Sequence, residues 1–330
     1  MHSDLGAVPQ RVLVFGAASQ TGGPLVDRVL AQPDRPALRL VSSDPAKAAS
    51  LAERYPQAET VVADYLDLPS LLSAFDGVDA AYLVTPDFFE FEKRAMCNVV
   101  AAAHDSGREP HLVRLTGMEP NINRLEELST AMREMHGSNQ QYQHARAVLN
   151  ASGLPVTYLN SWAWFMSDFL TMFLPSVLKR RVLSVPFDRV TTFIDPREVG
   201  EAAAVLLMAP HDRNHDGFVR NLTGTERLRF SDVAAIMSDV LRVDITYEDD
   251  PDACRRDMLE LMSGLFPDAD NEYIFDYMVA FMANERREEP LFFVTDELEH
   301  LIGRRPRSLR EWFEEHKNVF LAEGSPLSVG

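Results

Sequence analysis

Four apolar residues, Val12 to Phe15, run directly into Gly16 and then into a helical pattern, and this stretch, VLVFGAASQTGGPLVDRVL, constrains the chain more than any other. Its order predicts a buried strand, a tight turn and a helix. Val12 to Phe15 suit a strand covered on both faces, while Leu25, Val26, Val29 and Leu30 recur on one helix face. Gly16 lets the chain turn sharply off the strand. Gly22 lets the helix start approach the strand, and the N–H groups of a helix start suit a pyrophosphate. Ser19 stands where the G-x-G-x-x-G pattern would place its middle glycine. The alternative reading is a glycine-rich turn that only packs strand on helix.

The elements that follow alternate. Short strands are predicted at Ala37 to Val41, Thr60 to Ala63 and Ala80 to Thr85, with helical patterns at Pro45 to Arg54 and Ser70 to Phe75 between them. A helix from about Phe89 to Asp105, a strand at His111 to Thr116, a helix ending near Ser152-Gly153 and a strand at Val156 to Asn160 continue the series. Such alternation implies right-handed crossovers and a parallel sheet, in which ligands lie beyond the carboxyl ends of the strands. Gly16, Ser42, Ser43, Asp64, Thr85, Pro86, Thr116 and Asn160 occupy those ends.

After Asn160 the alternation stops. Ser161 to Leu178 is crowded with Trp162, Trp164, Phe165, Met166, Phe169, Met172 and Phe173, and helical patterns fill the chain from Pro251 onward. Further strands are predicted at Val190 to Ile194, Phe218 to Thr223 and Asp244 to Glu248. Asp195-Pro196-Arg197-Glu198 and Ser308 with Glu311 read as helix starts with capping boxes. The fold class expected is α/β: a Rossmann-type doubly wound parallel sheet with a smaller, mainly helical C-terminal substrate lobe. Residues 1–160, with 190–224 returning to them, form the expected nucleotide-binding domain; 161–189 and 225–330 form the substrate lobe.

Composition excludes several classes. At 330 residues, with 46% hydrophobic and 25% charged residues, the chain has the make-up of a soluble globular protein. A net charge of −18 argues against nucleic acid or an anionic membrane surface as partner, because phosphate binding needs clustered Lys and Arg. The acidic stretches Glu248 to Asp252 and Asp268 to Asp276 read as solvated surface. Cys97 and Cys254 lie far apart without His or Cys neighbours at metal-ligand spacing, so neither a disulfide framework nor a metal site is expected. The first ten residues, MHSDLGAVPQ, show neither a basic start nor an apolar run, and no stretch approaches membrane-spanning length. A cytoplasmic location is the default expectation.

Five segments, GAASQTGG, SSDPAKA, AYLVTP, QYQHARAVLNASGLPVTYLN and FIDPREVGEAAAVLL, make the chain resemble the NmrA-like branch of the atypical short-chain dehydrogenases/reductases. That group includes NAD(P)H:quinone oxidoreductases, isoflavone-reductase-like enzymes and dinucleotide sensors. The resemblance spans Val12 to about Thr223 and weakens over the acidic C-terminal third. It implies that the turn Gly16, Ser19, Gln20, Thr21 and Gly22 holds the pyrophosphate, that Asp64 lies near the adenine, and that Thr85 and Pro86 border the nicotinamide ribose. It also implies that the aromatic stretch after Asn160 borders the substrate. Two departures stand out: family members that favour NADP(H) often carry Arg at the position of Ser43, and many carry Lys or His at that of Tyr142.

The residues also suggest chemistry of their own. Tyr142 and Arg146 stand four apart in a helical stretch, a Y-x-x-x-R on one face, in which the phenol would donate a proton and the cation would favour its release. Thr116 would add a second hydroxyl. The alternative is an amphipathic helix with a surface Tyr and Arg. His144 lies on a different face, where a solvated histidine is the plainer reading, and His136 falls in the polar segment Met118 to Gln141, read as a lid or substrate loop. Trp162, Trp164 and Met166 are expected near a flat apolar ligand, with Phe169 and Phe173 in the core. The second strand ends in Val41-Ser42-Ser43 with Lys47 one turn on, and Asp44 before Pro45 reads as a helix cap. NADP(H) is therefore expected to be preferred and NAD(H) accepted.

The function expected is an NAD(P)H-dependent reductase that transfers hydride to a small conjugated carbonyl, quinone or imine, the partner being a small-molecule substrate. A non-catalytic NAD(P)-sensing regulator is the alternative, and a cofactor-dependent epimerase or cyclase is a third. Self-association as a homodimer is left open.

Overall fold

The computed structural model describes residues 7–87, 90–120, 122–135, 137–265, 270–287, 289 and 292–321. Phe89, His136 and Asp268 lie outside these residues. The chain divides into two compact units, one made of 1–162, 196–222 and 296–305, the other of 163–195, 223–295 and 306–330. The returning segment thus starts at 196 rather than 190, and 296–305 groups with the first unit.

The first unit alternates as its sequence pattern requires. β1 (Arg11–Phe15), α1 (Gly22–Leu30), β2 (Ala37–Ser42), α2 (Pro45–Arg54), β3 (Glu59–Val62), α3 (Leu68–Phe75), β4 (Ala80–Leu83), α4 (Glu92–Asp105) and β5 (His111–Thr116) come first. A short α5 (Thr130–Glu134), α6 (Ser138–Asn150) and β6 (Val156–Ser161) follow. In the second unit the chain forms β7 (Trp164–Phe165), α7 (Leu174–Arg180), β8 (Val182–Ser184), β9 (Val190–Thr191) and β10 (Phe193–Ile194). It returns to the first for α8 (Pro196–Met208) and β11 (Phe218–Leu222). The second unit is completed by β12 (Leu228–Arg229), α9 (Phe230–Leu241), β13 (Thr246–Glu248), α10 (Pro251–Leu265), α11 (Asn271–Arg287) and α13 (Leu309–Leu321), while α12 (Glu297–Ile302) belongs to the first.

One seven-stranded parallel sheet organises the first unit, in the order β11-β6-β5-β4-β1-β2-β3. The chain builds outward from β1 to β3 and then restarts on the other side of β1 with β4, so the order reverses between β1 and β4. Their carboxyl ends, Phe15-Gly16 and Leu83-Val84, flank the crevice where open α/β sheets receive ligands. Val12 to Phe15 are buried on both faces, as a central parallel strand demands. One core joins Leu13, Phe15, Leu83 and Leu112 of the sheet to Phe75 of α3, Met96 of α4 and Leu149 of α6.

The second unit has its own core of Phe169, Phe173, Phe193, Phe230, Trp312 and Phe313. Met166 belongs to it and is only 1% exposed, so the expectation of a ligand-facing Met166 gives way to packing. The strand expected at Val190 to Ile194 is split into β9 and β10, which pair with different partners. Ser308 and Glu311 close the expected capping box: Ser308 N–H donates to the Glu311 carboxylate at 2.8 Å, and Glu311 N–H donates to Ser308 Oγ at 3.3 Å.

Candidate functional site

The turn after β1 is closed by its own side chains. Gly16 has φ +65°, a conformation that a side chain disfavours, and a Cβ there would lie 2.5 Å from Val84 Cγ1. A Cβ on Gly22 would lie 2.0 Å from the carbonyl oxygen of Gly16, so this glycine is required by the turn itself. Ser19 at the middle-glycine position has a local role: its Oγ accepts the Gly22 N–H at 3.0 Å, and its carbonyl accepts Gly23 N–H at 3.0 Å. The Thr21 hydroxyl is buried and bonded to Tyr82 Oη at 3.0 Å, bracing the turn against β4. Ala18 and Gln20 form the exposed outer side of the turn.

The acid at the end of β2 serves as a helix cap. Asp44 caps α2, accepting Ala46 N–H at 2.7 Å and Lys47 N–H at 3.4 Å. Ser42 Oγ is engaged with the Asp44 backbone, donating to its carbonyl at 3.1 Å. Ser43 and the Lys47 side chain are exposed. Asp64, beyond β3, is exposed and accepts the Leu66 N–H at 2.7 Å.

Beyond β4 and β5 lies a buried polar network. Arg114, inside β5 and fully buried, pairs with Glu92, the first residue of α4, with Nη2 2.7 Å from Oε1. The same nitrogen donates to Thr85 Oγ1 at 2.8 Å, Nη1 donates to the Leu83 carbonyl at 3.2 Å, and the Thr85 hydroxyl donates to Glu92. Thr85 thus faces inward, while Pro86 is exposed. The Arg114 guanidinium lies 5.6 Å from the centre of the Tyr142 ring. That ring packs beside Gly117, where a Cβ would come within 3.8 Å of Tyr142 Cε2. The Tyr142 hydroxyl donates to the carboxylate of Asp87. Crowding by protein raises the Asp87 carboxyl above the ordinary aspartate range, and the bond from Tyr142 offsets part of the rise. Asp87 nonetheless keeps a solvent-exposed surface.

Other expected site residues sit elsewhere. Arg146, four residues from Tyr142, donates toward the Ile122 carbonyl at 3.5 Å and Asn123 Oδ1 at 3.4 Å and lies over the ring of Tyr158. The cation beside Tyr142 is therefore Arg114. Thr116 donates its hydroxyl to Asn160 Oδ1 at 3.1 Å, within a buried amide network that also holds Met118 N–H at 2.7 Å and Asn221 at 2.8 Å. His144 is half-buried on α6. Trp162 is 3% exposed at the end of the first unit. In the second unit, the half-buried Trp164 donates its indole N–H to Glu285 at 3.0 Å, and Glu285 also accepts from the buried Arg189 at 2.6 Å. Burial pushes the Glu285 carboxyl up, and Arg189 works against that rise.

Arg114, Glu92 and Asp87 escaped the reading of the sequence. One signal was available: Arg114 interrupts the apolar strand HLVRLT, and a charge at the centre of a buried strand requires a buried partner. Asp87 carries no such mark.

A sequence model of the NmrA-like family matches residues 9–316. The (4-alkanoyl-5-oxo-2,5-dihydrofuran-3-yl)methyl phosphate reductase of Streptomyces griseus subsp. griseus is 28% identical over 314 residues, covering 94% of this chain and 100% of that protein. The Escherichia coli NADPH-dependent quinone oxidoreductase QOR2, in its complex with NADPH, superposes with a TM-score of 0.74 at 19% identity, covering 92% of this chain and 99% of that one. Triphenylmethane reductase of Citrobacter sp., complexed with NADP(H), gives 0.72 at 19% identity, covering 93% and 99%. At these identities the structural likenesses show a shared fold.

Proposed function

Because the chain belongs to the NmrA-like family, we propose that it is an NAD(P)H-dependent reductase acting on a small, flat conjugated carbonyl, quinone or imine. The observation that carries this reading is the Gly16 to Gly22 turn: a positive-φ glycine and a helix start without room for a Cβ, at the reversal between β1 and β4. The turn suits a pyrophosphate, because its outer residues are small or exposed and it leads into a helix whose amino end favours anions. Gly16, Ser19, Gln20, Thr21 and Gly22 would line that end of the dinucleotide, with Ser19 and Thr21 holding the turn's shape. Ser43 and Lys47, exposed beyond β2, would meet a ribose 2′-phosphate, while the Asp44 carboxylate is engaged by backbone N–H groups of α2. Asp64 would lie toward the adenine and Thr85-Pro86 toward the nicotinamide ribose. NADP(H) is thus the preferred cofactor and NAD(H) the weaker one.

The bound dinucleotide would supply the hydride; the protein orients it and manages the proton. Two of the compared proteins are named as NADPH-dependent or were crystallised with NADP(H), and the relative from Streptomyces is named for a lactone bearing an acyl group. An unsaturated lactone of that kind is a conjugated carbonyl, which supports the acceptor class. The aromatic cluster around Trp164 is the candidate for recognising a flat acceptor.

Calorimetric titration with NADPH and NADH, followed by cofactor oxidation against quinones, enones and cyclic imines, tests the reading. Tighter binding of NADPH and acceptor-dependent oxidation are expected. Failure to bind either dinucleotide would overturn it; binding without oxidation by any acceptor would favour a dinucleotide sensor.

A further inference from the structure

We propose that Arg189 and Trp164 form the recognition site for the acceptor, a neutral, flat carbonyl compound that lies against the indole and accepts a hydrogen bond from Arg189 Nη2. This assignment rests on the reductase reading above and deepens it by naming the group through which the acceptor is recognised.

Two costs to the fold meet at one guanidinium of the second unit. Arg189 is fully buried, and its Nη2 has no acceptor among the described residues. A buried donor without an acceptor has lost its hydration and gained nothing in return, so a ligand oxygen placed there would bind with that loss already incurred. The second cost is at Phe187, whose φ is +64°. Arg181 and Arg242 share this conformation as the residues that end α7 and α9, where it is usual. Phe187 ends no helix: it lies between β8 and β9, and a bulky side chain in this region is strained. Its backbone is held there from both sides. Asp249 accepts the Phe187 N–H at 2.6 Å, and Arg189 Nη1 donates to the carbonyls of Pro186 at 3.1 Å and Phe187 at 3.4 Å.

The same guanidinium fixes the indole. Its Nε donates to Glu285 at 2.6 Å, and the two Glu285 oxygens accept the Trp164 indole N–H at 3.0 and 3.1 Å. The guanidinium carbon lies 5.3 Å from the centre of the Trp164 ring and 4.5 Å from that of Phe230. With its N–H engaged, Trp164 has only its π face to offer. It is half-buried, as are Phe187 and, one helical turn before Glu285, Phe281. A half-buried aromatic set beside an unmatched buried donor suits an apolar ring that carries an oxygen.

Charge narrows the class further. Arg189 is already paired with Glu285, and the Asp249 carboxylate is bonded to the backbone of Phe187 and Asp188, so an added anion would enter without a counter-charge. A quinone or enone carbonyl meets the donor without that cost. A carboxylate or phosphate does not.

The test is a binding titration of the full-length protein without dinucleotide, using a dimethylnaphthoquinone, the matching dimethylnaphthalene and naphthoate. The quinone should bind about tenfold more tightly than the hydrocarbon, and more tightly than the carboxylate. Arg189→Met/Glu285→Gln removes both charges and keeps an acceptor for the indole N–H. It should bind the hydrocarbon as the parent does, which shows that it is folded, and the quinone no more tightly than the hydrocarbon. Phe187→Ala and Phe187→Gly both remove the ring and should weaken both neutral ligands about fivefold. The glycine variant should melt at the higher temperature, against the usual order, because glycine adopts positive φ without strain. With NADPH present, the loss in Arg189→Met/Glu285→Gln should appear in the KM for the quinone rather than in kcat. Equal binding of quinone and hydrocarbon by the parent, tighter binding of the carboxylate, a preference for quinone that survives in Arg189→Met/Glu285→Gln, or unchanged affinity in both Phe187 variants overturns the assignment and leaves the reductase reading intact. A quinone that binds through Arg189 yet is never reduced by the bound dinucleotide overturns the reductase reading and leaves Arg189 as a site for a carbonyl ligand that is not an acceptor.

Discussion

The guanidinium of Arg114 forms a 2.7 Å ion pair with Glu92 while lying 5.6 Å from the centre of the Tyr142 ring. One buried cation therefore ties α4, the residue Thr85 after β4, and the tyrosine of α6 to a single point inside β5. The pair is incompletely bonded: Arg114 Nε and Glu92 Oε2 are buried without hydrogen bonds among the described residues. Desolvation then offsets much of the Coulomb attraction, and the pair's worth lies in where it puts Thr85 and Tyr142.

Removing one partner should cost far more than removing both. Arg114→Met or Glu92→Gln should each destabilise the fold by about 3 to 5 kcal/mol, because a charge or a set of polar atoms is left buried alone. The double variant Arg114→Met/Glu92→Leu should recover most of that loss. Urea denaturation of the four proteins measures the difference, and additive single losses would contradict this account.

Acid should weaken the fold through His111. Its ring is buried at the start of β5, stacked 3.9 Å from His211, with Nε2 2.9 Å from Thr157 Oγ1. Burial, with His211 adding to it, pushes its pKa down to about 3. The unfolded chain takes up the proton near pH 6.5 and the folded chain does not, so stability is full above pH 6.5 and declines as pH falls toward 3. The loss should reach about 2 kcal/mol by pH 5 from this residue alone. Thermal melts across pH 5 to 8 should show the slope, and His111→Gln should flatten it.

The two adjacent glycines should respond in opposite ways. Gly22→Ala places a methyl group 2.0 Å from the Gly16 carbonyl and must displace the turn, lowering stability with or without a dinucleotide. At Gly23 the nearest atom to a new Cβ is 3.7 Å away. Gly23→Ala should therefore be neutral or stabilising by up to about 1 kcal/mol, as a helix gains from alanine. Differential scanning fluorimetry of the two variants without ligand separates them.

Lys47 and Asp44 should separate cofactor choice from helix stability. Lys47→Ala should weaken NADP(H) about tenfold, or about 1.4 kcal/mol, and leave NAD(H) nearly unchanged. Asp44→Ala should cost about 1 kcal/mol of stability through loss of the cap, without altering the ratio of the two affinities. Calorimetry with both dinucleotides decides it; a changed ratio in Asp44→Ala would mean that this carboxylate faces the ribose.

The alternation of β1 to β6, the glycine turn and the capping role of Asp44 were legible in the sequence because each follows from short-range rules: side-chain period, the conformational freedom of glycine, and the competition of a short carboxylate for backbone N–H groups. The sequence also determined the parallel sheet, since strands separated by helices can return only by crossovers. What it did not determine is which side chains meet once those crossovers are made. Tyr142 and Arg146 share a helix spacing, yet the cation beside Tyr142 is Arg114, which is 28 residues upstream, inside β5. Asp87, just beyond β4, meets the Tyr142 hydroxyl of α6 across 55 positions of sequence. Met166 matched the pattern of a pocket wall and was taken by the core of the second unit. Periodicity specifies the face on which a residue stands; only the packed sheet specifies what stands opposite, and the charges buried there are fixed by contacts between residues far apart in the chain.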